Sequence, residues 1–258
     1  MRTIEPQTQI RIKNILFATD FSPAANAALP FAFTLARRYG AKIHALHVSV
    51  PDIYPTAPAG ALTGLPGEEQ AIKERLRELL RGAGEVDCDV ITGAGDVWQV
   101  IATIVDQRGI DLIVIGTRGR TGVGKLLLGS VAERIFRLAT CPVLTVGPHC
   151  AADLAGSAEF RAILFATDLS PGLRNVAAYA ISLAQENQAR LTLLHVIEPP
   201  KTGELLSPDQ LVPSSLRVLD HLVPEDARLW CSPESVVVVG DPAQKILEIA
   251  QQKKADLI

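Results

Sequence analysis

The stretch DLIVIGTRGRTGVGKLLLGSVAE, residues 111–133, decides the fold. Asp111 to Ile115 is a short, β-branched apolar run of the kind that forms a strand buried on both faces of a parallel sheet. Further on, apolar residues recur at Leu128, Val131, Ile135 and Leu138, with Glu133, Arg134 and Arg137 between them, which is the period of a helix packed on a sheet. Gly116, Gly119 and Gly129 lie between the two, and Ser130 follows the last. Strand, glycine-rich turn and helix start, in that order, make a seat for an anion. Glycine lets the backbone approach a ligand closely, and the first N–H groups of a helix lack internal partners and sit at the positive end of its dipole.

Within this stretch Gly119 to Lys125 fits the opening of a Walker A loop, GxxxxGK, but the next residue is Leu126. A P-loop needs Ser or Thr there to hold magnesium, so that reading fails. Outward from the loop, the first half of the chain reads as strand 13–19, helix 23–39, strand 42–48, helix 68–82, strand 86–92, helix 96–108, strand 111–115, helix 128–138 and strand 142–146. Such alternation demands a parallel sheet with helices on both faces and right-handed crossovers. Ligands of these sheets sit beyond the carboxyl ends of the strands, where strand order reverses. An order 3-2-1-4-5 brings Asp20, after the first strand, and Gly116, after the fourth, to one crevice.

The chain then repeats itself. Ile163 to Pro171 restates Ile15 to Pro23 with only Phe21 changed, to Leu169, and Leu194-His195-Val196 restates Leu46-His47-Val48 at the same interval. Gly240-Asp241 matches Gly95-Asp96, and Ala255 to Ile258 falls on Ile110 to Ile113. A period of this length is a domain duplication. The expected organisation is a first domain over residues 1–147, a linker over 148–159 containing Pro148, Gly156 and several alanines, and a second domain over 160–258. The second copy ends before the equivalents of the glycine loop and last strand, so it is expected to be the less stable half unless a partner covers it.

Composition narrows the functional classes. Among 258 residues, 48% are apolar and only 5% aromatic, which suits Val/Ile/Leu/Ala-rich parallel sheets. A net charge of −3 and a pI near 6.0 give no general basic footprint, so no nucleic-acid partner is expected. No run reaches about 18 uninterrupted apolar residues and the first residues lack a signal-peptide core, so a soluble cytoplasmic protein without membrane association is expected. Cys88, Cys141, Cys150 and Cys231 show no zinc spacing, and Cys88 and Cys141 read as buried structural thiols, so no metal site is assigned to side chains. Pro51 to Pro66, with four prolines and two glycines, is either a lid over the crevice or a solvated connection.

The spacing Gly116-x2-Gly119-x9-Gly129-Ser130 resembles the G-x2-G-x9-G-[S/T] signature of the ATP-binding branch of the universal stress protein family. The likeness extends to Asn14 to Pro23 (NILFATDFSP), Ala45 to Val48 (ALHV) and Cys141 to Val146 (CPVLTV), in the family's order and over about residues 12 to 147. It implies an α/β fold of two Rossmann-like, nucleotide-α-hydrolase-type parallel-sheet domains in tandem, the second truncated before its glycine loop and last strand. It also implies a stress-response module that binds ATP, with magnesium or manganese bridging the phosphates. Thr19 and Asp20 would hold the adenine and ribose side, the backbone of Val48 would meet the adenine, and Gly116, Arg118, Gly119, Gly129, Ser130 and Val131 would cradle the phosphates. Arg120 and Lys125 add positive charge nearby.

Asp20 has a second reading, as a cap, jointly with Ser22, of the helix starting at Pro23. His47 reads as a core residue or as support for the site. No residue is assigned as catalytic, and any ATP hydrolysis is expected to be weak, because no base for an attacking water stands near the loop. The resemblance further implies a homodimer through Pro142 to Val146 and an unidentified protein partner. Two other classes remain: a nucleotide-independent dimerising module, and an adenylyl-transferring enzyme of related fold.

Overall fold

In a computed structural model the described residues are 10–50, 67–117, 129–147, 150, 160–199 and 208–258. They divide into two compact units, one of residues 11–150 and one of 160–258 together with Ile10. The first contains β1 (Asn14–Ala18), α1 (Pro23–Asn26), α2 (Leu29–Tyr39), β2 (Lys42–Ser49), α3 (Glu68–Leu79), β3 (Cys88–Ala94), α4 (Val97–Arg108), β4 (Leu112–Gly116), α5 (Ser130–Leu138) and β5 (Val143–Val146). Its strands are parallel in the order β3-β2-β1-β4-β5, so the reversal falls between β1 and β4, as the sequence reading required.

Burial explains the order. Ile15, Leu16 and Phe17 of β1 are wholly buried, and so are Ile43 and Leu46 of β2 and Ile113 and Val114 of β4. Only central strands covered on both faces can absorb such continuous apolar runs. One face packs Leu16, Leu46 and Ile113 against Ile101 of α4 and Ile135 of α5. Removing a side chain such as Ile113 to alanine would cost about 2–5 kcal/mol.

The expected single helix over 23–39 is instead two helices. Pro30 has no N–H for the Asn26 carbonyl and its ring crowds that carbonyl, so α1 closes on a tight Ala28 N–H to Ala25 O bond (3.2 Å) and α2 starts afresh. The helix expected over 68–82 likewise ends at Leu79 and finishes as a 3-10 turn through Ala83.

The second unit contains β6 (Ala162–Thr167), α6 (Leu173–Asn187), β7 (Arg190–Ile197), α7 (Pro208–Asp220), β8 (Ser232–Val239) and α8 (Pro242–Lys253). Its parallel order β6-β7-β8 repeats β1-β2-β3, and Leu257 bridges Ile163 in parallel, where β4 lies beside β1 in the first unit. Ala178 occupies the repeat position of Pro30, and α6 runs unbroken. A shared carboxylate clamp marks both strand starts. Asp111 Oδ2 accepts from the N–H of Lys13 (2.8 Å) and Asn14 (3.0 Å), and Asp256 Oδ2 accepts from those of Arg161 (2.6 Å) and Ala162 (3.0 Å).

Near the amino ends of the first unit's strands, His44 is buried. Its Nε2 donates to Asn14 Oδ1 (3.2 Å), an amide whose orientation is set by Asn14 Nδ2 donating to Gly109 O. The neutral ring therefore carries its proton on Nε2, and Nδ1 has no hydrogen-bond partner, with Asp89 Oδ2 at 3.8 Å. Burial holds the His44 pKa below its ordinary value, against the opposing pull of Asp89. None of the four cysteines forms a disulfide. Cys231 is buried, but Cys88 and Cys141 are half-buried, less enclosed than expected; burial nonetheless raises all three pKa values, which disfavours the reactive thiolate.

Candidate functional site

At the end of β1, Thr19 N–H donates to Leu46 O (3.0 Å), and the chain then turns sharply. The hydroxyl of Thr19 accepts from Phe21 N–H (2.9 Å) and donates to Asn26 Oδ1 (2.7 Å). Asp20 Oδ1 accepts from Ser22 N–H (2.9 Å), and Ser22 Oγ accepts from Ala25 N–H (3.1 Å). Ser22 alone is thus the cap of α1, while Asp20 shapes the turn leading to it. This corrects the joint-cap reading: Asp20 lies two residues before the cap position, and its carboxylate binds the cap residue's own N–H.

The turn forces Phe21 to φ 64°, a left-handed conformation that costs a side-chain-bearing residue about 1–2 kcal/mol. Packing offsets that cost. The Phe21 ring is buried, with the His47 ring centroid at 4.5 Å and the Arg75 guanidinium carbon at 4.2 Å from its centroid. His47 Nδ1 donates to Thr19 O (2.8 Å), so His47 supports the turn.

Across the switch point, Gly116 ends β4 against α1. A Cβ there would lie 2.4 Å from Ala24 O and 2.7 Å from the Ala25 Cα, so only hydrogen fits. Thr117 N–H donates to Val146 O (3.0 Å), and Gly129 N–H donates to Thr117 O (2.9 Å), which closes the two ends of the intervening loop on each other. Gly129 is the N-cap of α5, and its carbonyl accepts from Glu133 N–H (2.8 Å) with no side-chain cap bond. The N–H groups of Ser130, Val131 and Ala132 therefore lack intrahelical partners. One sequence-based role changes accordingly, since Gly129's amide is engaged by Thr117, while the close packing of Gly116 is a requirement the sequence reading had not assigned to it. The open donors belong to the three residues that follow Gly129.

Thr19, Asp20, Val48, Gly116, Gly129, Ser130 and Val131 line one crevice of about 270 Å³. Arg118 and Gly119, with Arg120, Lys125 and the segment from Pro51 to Pro66, lie outside the described residues. Sequence reading missed the apolar wall, to which α4 contributes Val97 and Ile101 and α5 contributes Ile135. The four-residue spacing of the α4 pair was its only signal. Also missed was the tie between these helices. Asp96 Oδ1 caps α4 by accepting from Gln99 N–H (2.9 Å), while its Oδ2 accepts from Arg134 of α5 (2.7 Å). The Gln99 bond and then Arg134 hold the Asp96 carboxyl below the usual carboxylate range.

No helix among the described residues is long and apolar enough to cross a membrane. The profile of the universal stress protein family matches residues 11–147 and again residues 159–258. Universal stress protein MJ0531 of Methanocaldococcus jannaschii is 32% identical over 148 residues, which is 52% of this chain and 81% of that protein. Universal stress protein YxiE of Bacillus subtilis is 29% identical over 143 residues, 51% of this chain and 97% of the relative. The crystal structure of a universal stress protein from Archaeoglobus fulgidus covers 95% of this chain and 85% of its own at TM-score 0.66 and 21% identity, a likeness of fold. Two matches to one profile, over two units that share strand order and turn chemistry, show that the chain belongs to the universal stress protein family, with two of its α/β domains in tandem.

Proposed function

We propose that the first unit of this stress-response protein binds ATP at the switch point between β1 and β4, and that the bound nucleotide sets conformation or partner choice. One observation carries this reading. The uncapped start of α5 and the turn at Thr19-Asp20 face one crevice from opposite sides of the sheet reversal, with an apolar wall between them. The triphosphate would take the N–H groups of Ser130, Val131 and Ala132 and the Ser130 hydroxyl, with Arg118 and Gly119 contributing from the loop. Adenine would lie against Val48 and the α4 wall, and the Thr19-Asp20 side would receive the ribose. Magnesium or manganese would be held by phosphate oxygens and water.

Calorimetry with ATP tests this directly. Gly129 already has φ −60° and ψ 146°, the conformation required before proline, and Ser130 is the first helical residue, where proline is welcome. Ser130→Pro thus deletes one main-chain donor and the hydroxyl without breaking the helix, whereas Ser130→Ala deletes the hydroxyl alone. The expected losses of ATP affinity are about tenfold or more for Ser130→Pro and about threefold for Ser130→Ala, with unchanged melting temperatures. A folded wild-type chain that shows no heat with ATP and magnesium sinks the reading.

The same reading places the protein in the cytoplasm and pairs two copies through β5. That strand is the open edge of its sheet, and α5 beside it exposes Phe136 (63%) and Leu138 (48%). Sedimentation of wild type and Phe136→Glu checks the pairing, which the variant should weaken.

A further inference from the structure

The second unit carries a different feature, a cavity of about 650 Å³ lined by Leu173 and Arg174 from the first turn of α6 and by Arg217, Val218, His221 and Leu222 from the end of α7 and just beyond. Arg174 stands where the positive end of the α6 dipole disfavours a cation, a local cost with no compensating carboxylate among the described lining residues. Neither Arg174 nor Arg217 forms an ion pair among the described residues. Asp220, one turn beyond Arg217, accepts from the Ser235 hydroxyl of β8 (2.6 Å). His221 Nδ1 donates to the Arg217 carbonyl (2.6 Å), which fixes the ring to the helix end.

The first unit shows that the fold does not require this charge. Its repeat position for Arg174 is Asn26, which accepts from the Thr19 hydroxyl. With the fully buried Leu76 and Leu219 in register, Glu74 and Glu78 stand at the positions of Arg217 and His221, and Arg75, stacked on Phe21, at that of Val218. The first copy thus places two carboxylates, each paired with a neighbouring arginine, and an arginine engaged with Phe21 where the second copy places Arg217, His221 and Val218.

We infer that the second unit binds a phosphate monoester with a small apolar or aromatic body. The Arg174 and Arg217 guanidinium groups would engage the dianionic phosphate, which matches their forked donors, and Leu173, Val218 and Leu222 would take the body. The site is separate from the crevice of the first unit.

Phenyl phosphate, titrated into the full chain by calorimetry and by amide chemical shifts, is the probe. One saturable site is expected. Its affinity should fall at least tenfold in Arg174→Glu/Arg217→Glu, fall severalfold in Arg217→Gln, and stay unchanged in Ser130→Pro; inorganic phosphate should bind severalfold more weakly than phenyl phosphate. Both arginines are exposed, so the variants are expected to fold, and circular dichroism checks this. Absence of saturable binding, indifference to the charge reversal, or loss in Ser130→Pro would overturn the inference, the last by moving the ligand to the first unit. Equal affinity for inorganic phosphate would overturn the role of the apolar wall.

Discussion

The turn after β1 and the turn after β6 are built alike. Thr19 and Thr167 accept from the N–H two residues on at 2.9 and 3.1 Å, Asp20 and Asp168 accept from Ser22 and Ser170 at 2.9 Å each, and Phe21 and Leu169 take φ values of 64° and 61°. His47 and His195 donate to the carbonyls of Thr19 and Thr167 at 2.8 and 2.9 Å. What surrounds the turns differs. In the first unit Phe21 packs against His47 and Arg75, Thr19 also holds Asn26, and Gly116 admits α1 to the end of β4. A strand-end turn is thus a local device reproduced by a short sequence, whereas the crevice depends on residues brought to it by the sheet reversal.

The largest break in that comparison is expected at Gly116. In Gly116→Val the side chain would meet the Ala24 and Ala25 backbone, which cannot yield as a flexible side chain could, and the first unit should lose about 3 kcal/mol. Hydrogen exchange read separately over each unit should show the loss confined to the first. Destabilisation shared equally by the second unit would contradict the assignment, and ATP binding by this variant reports folding before it reports donor loss.

Next in size is Thr19→Val, which leaves the Phe21 N–H and the Asn26 carbonyl oxygen without their buried partner at a cost of about 1–3 kcal/mol. Thr167→Val, at a half-buried site with Arg174 in place of Asn26, should cost about 1 kcal/mol or less. Urea unfolding of the two variants gives the contrast, and equal costs would show that Asn26 adds nothing.

A smaller effect concerns pH. The folded pKa of His44 is lowered, so the unfolded chain takes up the proton first; this contribution to stability is complete above about pH 6.5 and declines as pH falls toward the folded value. His44→Thr, which installs the residue found at the repeat position Thr192, should flatten the decline below pH 6.5 by at most about 1.4 kcal/mol per pH unit. Unfolding midpoints at several pH values, taken as the difference between variant and wild type, measure it. Identical slopes would exclude His44 as their source.

The smallest change is expected at helix ends. Gly40 closes α2 at φ 62°, while Gln188 closes α6 at φ 50°. Glycine relieves the left-handed strain that glutamine bears, so Gln188→Gly should raise the stability of the second unit by about 0.5–1 kcal/mol despite its greater chain entropy. A lowered melting temperature would mean that the Gln188 side chain contributes more than its backbone costs.

Strand positions, strand order and the location of the crevice were legible because they follow from periodicity, short apolar runs and the handedness of crossovers, all of which are local or topological. Pro30 also announced the break between α1 and α2, although the apolar period running through it masked that signal. The partners of individual amides were not legible. The Gly129 N–H meets Thr117 across a loop, and Gly116 excludes a Cβ because of a helix distant in sequence. Spacing and the family resemblance gave both glycines to a ligand without showing these contacts, since a glycine needed for close packing and one needed for binding look the same in a sequence. The Asp96–Arg134 tie, the α4 wall and the unpartnered Nδ1 of His44 were hidden for the same reason. Local sequence determined which residues could form strands, turns and caps; only the folded sheet decided which donors were already engaged and which remained open, because hydrogen bonds and steric limits between distant segments exist only once those segments are packed together.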